Sequence, residues 1–276
     1  MTTEEFGPTV SAGWLAAHLD DPDVVVVDVR WSLDDGPKRA AFEQGHIASA
    51  VFADLDVDLS APASGDAGRH PLPTAVSFAE AMGRLGVADD SKVVAYDDAG
   101  GLIAARLWWM LDVLGRSAAV LDGGLAEWNG PVVEGAPAPA QATFTAVEWP
   151  ADRVITKRDL AASLGGALTI LDARASDRFA DGGPVDPRPG HVPGAVNAPA
   201  GANLEHGMFR SSEDLADHYA ELGADGGDVV AYCGSGVTAC ADLLARRKAG
   251  LPDAKLYVGS WSQWGADESL PAETGG

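Results

Sequence analysis

Cysteine is scarce in this sequence, since only Cys233 and Cys240 occur among its 276 residues. Two cysteines cannot form the disulfide framework of a small secreted domain. No second Cys or His pair has the spacing of a zinc site, so we expect no bound metal. Free thiols persist in reducing compartments, which indicates a cytoplasmic protein.

Basic residues and long apolar runs are also few. The chain has 19 Lys and Arg against 41 Asp and Glu, a formal net charge of −22. That charge repels phosphate backbones and anionic lipids, so we expect neither nucleic-acid nor membrane partners. The longest apolar runs, such as residues 102–111, are too short to span a bilayer, and residues 1–6 lack the apolar core of a signal peptide. A small anionic substrate would need a local cluster of cations.

The chain contains two copies of one pattern. Four blocks recur in the same order: 25–30 with 169–174, 45–51 with 190–196, 93–96 with 229–232, and 120–128 with 256–264. Such self-similarity indicates a duplicated domain. We predict domains at 1–130 and 154–276. The Pro-, Gly- and Ala-rich stretch 131–153 is predicted as a surface linker.

Each copy alternates short β-branched runs with longer helical patterns. The runs predict strands at 24–29, 93–96, 118–121, 168–172, 228–232 and 255–257. Helices are predicted at 74–85, 102–114, 211–222 and 237–248. This alternation predicts an α/β fold in which each domain is a mainly parallel sheet with helices on both faces. Ligands of such folds bind beyond the carboxyl ends of the strands.

At one of these strand ends stands Cys233, followed by Gly234, Ser235 and Gly236 and then at once by a predicted helix. The glycines permit a tight curl in which backbone N–H groups face one point, and the helix N-terminus makes that point electropositive. A thiol held there should have a lowered pKa, and the same donors can hold a persulfide anion. Simple packing of Cys233 at a strand end is the weaker interpretation.

Two other residues can be compared with Cys233. Cys240 lies about two turns into the predicted helix, so we expect it only to pack. In the first copy Asp97 takes the position of Cys233. A carboxylate cannot carry sulfane sulfur, and the first domain is therefore predicted to be catalytically inactive.

Over nearly its whole length the chain resembles the rhodanese superfamily, specifically the tandem-domain thiosulfate and 3-mercaptopyruvate sulfurtransferases. The resemblance rests on the Asp-x-Arg strand ends, the Gly-His-Ile/Val blocks, and residues 106–110 and 259–264. The loop at 233–239 has the form typical of mercaptopyruvate enzymes. The chain departs from the usual pattern at residues 48–49 and 258. The resemblance implies a rhodanese-like fold for both copies and sulfur transfer through a Cys233 persulfide.

The loop composition favours 3-mercaptopyruvate as the sulfur donor. Thiosulfate is a dianion, and relatives that prefer it usually carry cations just after the Cys, whereas Gly234 and Ser235 offer no charge. A monoanionic α-keto acid needs only a pair of cations at its carboxylate. The resemblance implies pyruvate release without metal or organic cofactor, then transfer to cyanide or to a thiol such as thioredoxin or a low-molecular thiol. Thiosulfate:cyanide transfer on the same site remains an alternative.

The resemblance also implies substrate-binding residues. Arg178 and Arg188 match the arginines that hold the substrate carboxylate, and surface exposure is their alternative role. Arg174 is expected instead to pair with Asp172. Within the loop, the residues expected to contact the substrate are Gly234, Gly236, Val237 and Thr238.

A proton relay is implied as well. Ser235 matches the serine of the family relay, His46 the histidine and Asp35 the aspartate. Ser235 could instead only orient the loop. A structural role is equally open for His46, because His191 lies in the equivalent block of the second copy.

Two rival functions stay open at this point. A phosphatase with a similar Cys loop needs an arginine six residues after the Cys, where this chain has Ala239. A non-enzymatic persulfide carrier or interaction module is the other, and the retained Cys233 argues against it. We take a monomer as the default oligomeric state.

Overall fold

The computed structural model describes residues 5–275, which divide into two compact units. The first unit comprises residues 5–61, Pro73–Trp149 and His206–Phe209. The second comprises Pro62–Leu72, Pro150–Glu205 and residues 210–275. The segment Pro62–Leu72, which the sequence pattern placed with the first domain, thus groups with the second unit.

The first unit contains a five-stranded parallel sheet. Its strands and helices are β1 (Thr9–Val10), α1 (Ala12–His18), β2 (Val24–Asp28), β3 (Trp31–Ser32), β4 (Gly36–Pro37), α2 (Arg39–Gln44), β5 (His46–Ile47), β6 (Val51–Phe52), α3 (Ala75–Arg84), β7 (Lys92–Tyr96), α4 (Ala105–Val113), β8 (Ala118–Leu121) and β9 (Val132–Val133). A 3₁₀ turn spans Gly124–Glu127, and the later strand β13 (Met208–Phe209) also belongs to this unit. The sheet order is β1-β8-β7-β2-β6. Two antiparallel pairs, β3 with β4 and β5 with β9, lie outside it.

The core of the first unit follows from its apolar strands. The run Val24–Asp28 is almost entirely β-branched, which suits a strand covered on both faces. Val26 and Val94 from adjacent strands are buried in one cluster with Phe42 of α2. Helix α3 begins after Thr74, whose side chain accepts a hydrogen bond from the Ser77 N–H and so caps the first turn.

The second unit contains a four-stranded parallel sheet. Its elements are α5 (Lys157–Ser163), β10 (Thr169–Asp172), α6 (Ser176–Asp181), β11 (Val196–Asn197), a 3₁₀ turn (Ala200–Asn203), β12 (Leu204–Glu205), α7 (Ser212–Glu221), β14 (Val229–Tyr232), α8 (Ala239–Lys248), β15 (Lys255–Leu256) and α9 (Ser260–Trp264). The sheet order is β11-β10-β14-β15. The two sheets confirm the prediction of an α/β fold built on mainly parallel strands.

Aromatic side chains fill one face of the second sheet. Tyr232 and Tyr257 are buried together with Trp261 and Trp264 of α9. Behind the strand ends, Arg174 is fully buried and binds both carboxylate oxygens of Asp172, the pairing expected from the sequence. A buried, bidentate pair of this kind fixes the chain direction where β10 ends.

The stretch predicted as a linker packs in part against the first unit. Residues 134–149 form neither helix nor strand, yet the Ala142 N–H donates to the Gly83 carbonyl oxygen at 3.0 Å. Phe144 meets Phe78 edge to face, and the Trp149 indole N–H donates to the Pro73 carbonyl oxygen at 2.7 Å. Separately, none of the helices within residues 5–275 combines the length and the hydropathy that crossing a bilayer requires.

Candidate active site

Cys233 follows strand β14 directly, and hydrogen bonds hold its backbone on both sides. Its N–H donates to the Ser260 hydroxyl oxygen at 3.1 Å. Its carbonyl oxygen accepts from the Trp261 N–H at 2.9 Å. Because both peptide groups of Cys233 are fixed, the direction of its side chain is set by the start of α9. The residue is 2% exposed.

Backbone N–H groups of the loop face the Cys233 sulfur. Sγ lies 3.1 Å from the Gly236 nitrogen and 3.5 Å from the Ser235 nitrogen. Gly236 has φ +78°, and a Cβ added there would lie 2.5 Å from the Val258 carbonyl oxygen. Only glycine therefore permits this curl. Donors converging on one point stabilise an anionic sulfur, either a thiolate or a persulfide.

Ser260 holds this arrangement in a conformation that few residues adopt. It is fully buried with φ +52°, in the left-handed region. Its hydroxyl accepts from the Cys233 N–H and donates to the Tyr257 carbonyl oxygen at 2.9 Å. Strain of this kind persists where the surrounding structure enforces it, typically at functional sites.

The hydroxyl of Ser235 is bound by a histidine that the sequence did not single out. Nδ1 of His70 lies 2.8 Å from Ser235 Oγ, and the two residues are 4% and 5% exposed. The histidine at the Ser235 hydroxyl is thus His70, whereas the resemblance implied His46 for that place. In the first unit, His46 places its Nδ1 2.8 Å from the Phe42 carbonyl oxygen and stacks on the Phe42 ring.

Asp35, the third residue of the predicted relay, lies in a turn of the first unit. Its N–H donates to the Ser32 hydroxyl, and its carboxylate accepts from the same hydroxyl, both at 3.1 Å. The residue is exposed. These contacts describe a local turn between Ser32 and Asp35, and we assign Asp35 no step in the chemistry.

Two guanidinium groups converge on Gly234. Arg178, at the predicted position in α6, lies 2.9 Å from where a Cβ on Gly234 would stand, and Arg69 lies 3.1 Å from that point. Arg178 forms a bidentate pair with Asp186 at 2.6 and 3.0 Å. In a chain of net charge −22, these two guanidinium groups form a local cation cluster of the kind that an anionic substrate would need.

Arg188 takes a different position from Arg178. Its Nη2 donates to the Leu270 carbonyl oxygen at 2.9 Å, and its guanidinium lies 5.7 Å from the ring centroid of Trp261. The Trp261 indole N–H in turn donates to the Arg188 carbonyl oxygen. Since the Trp261 backbone N–H binds the Cys233 carbonyl oxygen, Arg188 supports the loop through Trp261.

Arg69 and His70 come from one segment, Pro62–Leu72, which contains none of the motifs identified in the sequence. The region between β6 and α3, residues 53–74, has no helix and only an isolated bridge between Ser64 and Gly68. A connection of this length inside a compact domain is usually functional, and this signal was available in the sequence.

The remaining loop residues lead into helix α8. Val237 is buried, and Thr238 precedes the helix without a side-chain capping bond. Cys240 is fully buried, with its thiol donating to the Gly236 carbonyl oxygen at 3.4 Å, in agreement with a packing role. Within residues 5–275, no cluster of three His, Cys, Asp or Glu side chains is arranged to hold a metal ion.

The equivalent loop of the first unit is closed by its own carboxylate. Oδ1 of Asp97 accepts from the N–H groups of Ala99 and Gly101, and Oδ2 from those of Ile103 and Ala104, at 2.7 to 2.8 Å. Burial raises the pKa of Asp97, and the four N–H donors oppose that rise. The curl thus holds a side-chain carboxyl group here, in the place where the second unit has sulfur.

Known proteins are similar to this chain in sequence and in fold. The family model described as "Rhodanese-like domain" matches residues 11–131 and 156–267. A Pseudomonas aeruginosa protein, "Probable 3-mercaptopyruvate sulfurtransferase", is 42% identical over 96% of this chain and 98% of its own length. A Mycobacterium tuberculosis protein named for thiosulfate sulfurtransferase activity is 38% identical, with 96% of each chain covered. The crystal structure of SseA from Escherichia coli, a 3-mercaptopyruvate sulfotransferase, superposes with TM-score 0.81 and 34% identity, covering 92% of this chain and 99% of SseA.

Proposed function

Because the chain belongs to the rhodanese-like domain family, we propose that it is a sulfurtransferase that takes sulfur from 3-mercaptopyruvate onto Cys233. The family matches in two copies, and the relatives confirm the predicted rhodanese-like fold and transferase class. The role proposed for Cys233 rests on one observation: two backbone N–H groups of the loop face its Sγ.

The first half-reaction moves one sulfur atom. The Cys233 thiolate attacks the donor sulfur, a new S–S bond forms, and the C–S bond of mercaptopyruvate breaks. The bonding pair leaves with carbon as the enolate of pyruvate, and the proton of the donor thiol ends on the methyl carbon of pyruvate. The products are a Cys233 persulfide anion and pyruvate, so atoms and charge balance.

Ser235 and His70 are proposed to carry that proton. Their side chains are joined at 2.8 Å and nearly buried, which suits a short relay from the donor thiol to the enolate. Arg178 is proposed to bind the donor carboxylate next to Gly234, and Arg188 to position Trp261 behind Cys233. The N–H groups of the loop then hold the persulfide until an acceptor takes its outer sulfur.

The second half-reaction needs an acceptor nucleophile. We propose a thiol, either thioredoxin or a low-molecular thiol, with cyanide as an assay substitute. Attack on the outer sulfur returns the Cys233 thiolate, which gives double-displacement kinetics. The free thiols of Cys233 and Cys240 suit a reducing, cytoplasmic location, and we propose a monomer.

Donor comparison tests the proposed function. With cyanide as acceptor, we expect kcat/KM measured by pyruvate release from 3-mercaptopyruvate to exceed kcat/KM measured by sulfite release from thiosulfate. Without an acceptor, we expect each protein molecule to release one equivalent of pyruvate and then stop. Further turnover should require the acceptor. A protein that releases no pyruvate beyond the rate of free cysteine would contradict the proposal.

Removal of the relay should affect the two donors differently. Ser235→Ala and His70→Asn are each expected to lower kcat with mercaptopyruvate about 10²-fold, because the enolate loses its proton source. Thiosulfate turnover moves no proton in this step and should change by less than about threefold. His218→Asn in α7 is the matched control and should behave as wild type with both donors. Equal losses with both donors would assign Ser235 and His70 a structural role.

A further inference from the structure

The guanidinium of Arg69, beside the Cys233 loop, has a donor group that binds no protein acceptor among residues 5–275. Its Nη1 donates to the Val185 carbonyl oxygen at 3.3 Å, while its buried Nε has no hydrogen-bond partner among residues 5–275. Its Nη2 faces Gly234, 3.1 Å from the position of an added Cβ. Because Nη2 faces the loop and no carboxylate pairs with Arg69 among residues 5–275, this guanidinium can bind an anionic ligand there.

Of the two arginines at Gly234, only Arg178 pairs with a carboxylate among residues 5–275. Asp186 binds Arg178 in bidentate fashion, and within the described residues Arg69 forms no ion pair. Burial lowers the pKa of Arg69; the charges of Cys233 and Asp186 oppose that decrease, and the charge of Arg178 adds to it. Arginine nevertheless stays protonated in proteins. One positive charge beyond the Arg178 pair is therefore available to an anion at the loop.

The backbone that carries Arg69 is held in place. Its N–H donates to the Ser262 hydroxyl oxygen at 3.0 Å. The preceding Gly68 has φ +90°, and a Cβ there would lie 2.6 Å from the Gly259 carbonyl oxygen. Arg69 also lines a pocket of about 410 Å³ together with Asp186. The backbone of Arg69 is therefore fixed, and its guanidinium can be reached from this pocket by a small anion.

Resting on the sulfurtransferase function above, we propose that Arg69 determines donor specificity by supplying the cation that a doubly charged sulfur oxyanion needs at this loop. Thiosulfate is the simplest such donor. Its outer sulfur bonds to Sγ of Cys233, its S–S bond breaks, and sulfite leaves with the bonding pair and two negative charges. No proton neutralises sulfite, unlike the enolate of pyruvate, so a cation must do so. Gly234 and Ser235 carry none, and Arg69 of the segment Pro62–Leu72 places Nη2 beside the position that a side chain on residue 234 would take.

Donor kinetics of Arg69 variants test this proposal. Arg69→Met is expected to lower kcat/KM for thiosulfate about 10²-fold and for mercaptopyruvate less than about tenfold, since the dianion loses roughly twice the Coulomb attraction. Arg69→Lys should recover most of the thiosulfate activity. Arg158→Met removes a charge from a side chain that is 90% exposed, and it should leave both donors unchanged.

Sulfite binding provides a readout that does not depend on turnover. Calorimetric titration of the Cys233→Ser protein with sulfite should show a site that is weakened at least about tenfold in the Cys233→Ser, Arg69→Met double variant. The proposal would be overturned if Arg69→Met lowered kcat/KM equally for both donors or left thiosulfate kinetics unchanged. It would also be overturned if sulfite bound equally well with and without Arg69. A wild-type enzyme that uses mercaptopyruvate but not thiosulfate would also overturn it, while leaving the proposed function intact. Failure of the proposed function would appear separately, as absent pyruvate release with Arg69-dependent sulfite binding retained.

Discussion

Cys233→Ser is expected to lower sulfur transfer from mercaptopyruvate and from thiosulfate by about 10⁴-fold or more, because both donors use the same sulfur nucleophile. A serine hydroxyl keeps the size of the side chain and its N–H neighbours, yet it cannot form a persulfide. The change should therefore leave the far-UV circular dichroism and the denaturant midpoint near those of wild type. Steady-state release of pyruvate and of sulfite measures the loss.

Cys240→Ala is the matched control for this prediction. Cys240 is the other cysteine of the chain, fully buried, with its thiol on the Gly236 carbonyl oxygen. It is expected to keep turnover within about threefold of wild type, at a stability cost of about 1 kcal/mol for the small cavity. Retained activity in Cys233→Ser together with lost activity in Cys240→Ala would show that the other thiol carries the sulfur.

Gly236→Ala is expected to produce the largest loss of stability among the loop variants. The residue has φ +78°, and the added Cβ would lie 2.5 Å from the Val258 carbonyl oxygen, which is backbone and cannot simply turn aside. Left-handed strain of about 1–2 kcal/mol and the steric contact add up to about 3 kcal/mol or more. Turnover should fall about 10²-fold as well, because the Gly236 N–H leaves Sγ of Cys233.

Gly250→Ala separates these two contributions. Gly250 has φ +73°, and its added Cβ would meet no atom within 4 Å. The control should therefore show only the strain of about 1–2 kcal/mol, with turnover unchanged. Urea unfolding of both variants gives the comparison, with the m-value used to check that the unfolded states match. Equal destabilisation by the two changes would contradict the steric account of the loop.

The strands and helices that build the two units were predictable because apolar periodicity sets them. The predicted strand at 118–121 coincides with Ala118–Leu121, and the predicted helix at 74–85 contains Ala75–Arg84. The position of Cys233 was predictable for the same reason. A strand end, two glycines and a helix start are local features of sequence that fix one local geometry.

Arg69 and His70 were not predictable in this way. Ser235 and its partner His70 are separated by 165 positions, and the segment between β6 and α3 has no periodicity to guide its placement. Contacts of a long irregular segment are decided by tertiary packing, here by Arg69 on Ser262 and by the close approach of Gly68 to Gly259. The length of the segment could have indicated a functional role, but it does not give the residues that the segment contacts.

Comparison of the two repeats indicates a structural role for His46, which was predicted as the histidine of the proton relay. His46 and His191 occupy equivalent blocks, and each places Nδ1 near a phenylalanine carbonyl oxygen and stacks on that ring, Phe42 in one unit and Phe179 in the other. A contact repeated in both units, one of which has Asp97 in place of the nucleophile, serves the fold. His70 has no such counterpart in the repeat pattern, and it is the histidine that meets Ser235.

Intact-mass spectrometry of the wild-type protein after incubation with mercaptopyruvate tests the central claim most directly. We predict a gain of about 32 Da, one sulfur atom, that cyanide removes and that peptide mapping assigns to Cys233. The Cys233→Ser protein should show no gain. A wild-type chain that never acquires this mass, or one that acquires it on Cys240, would contradict the account.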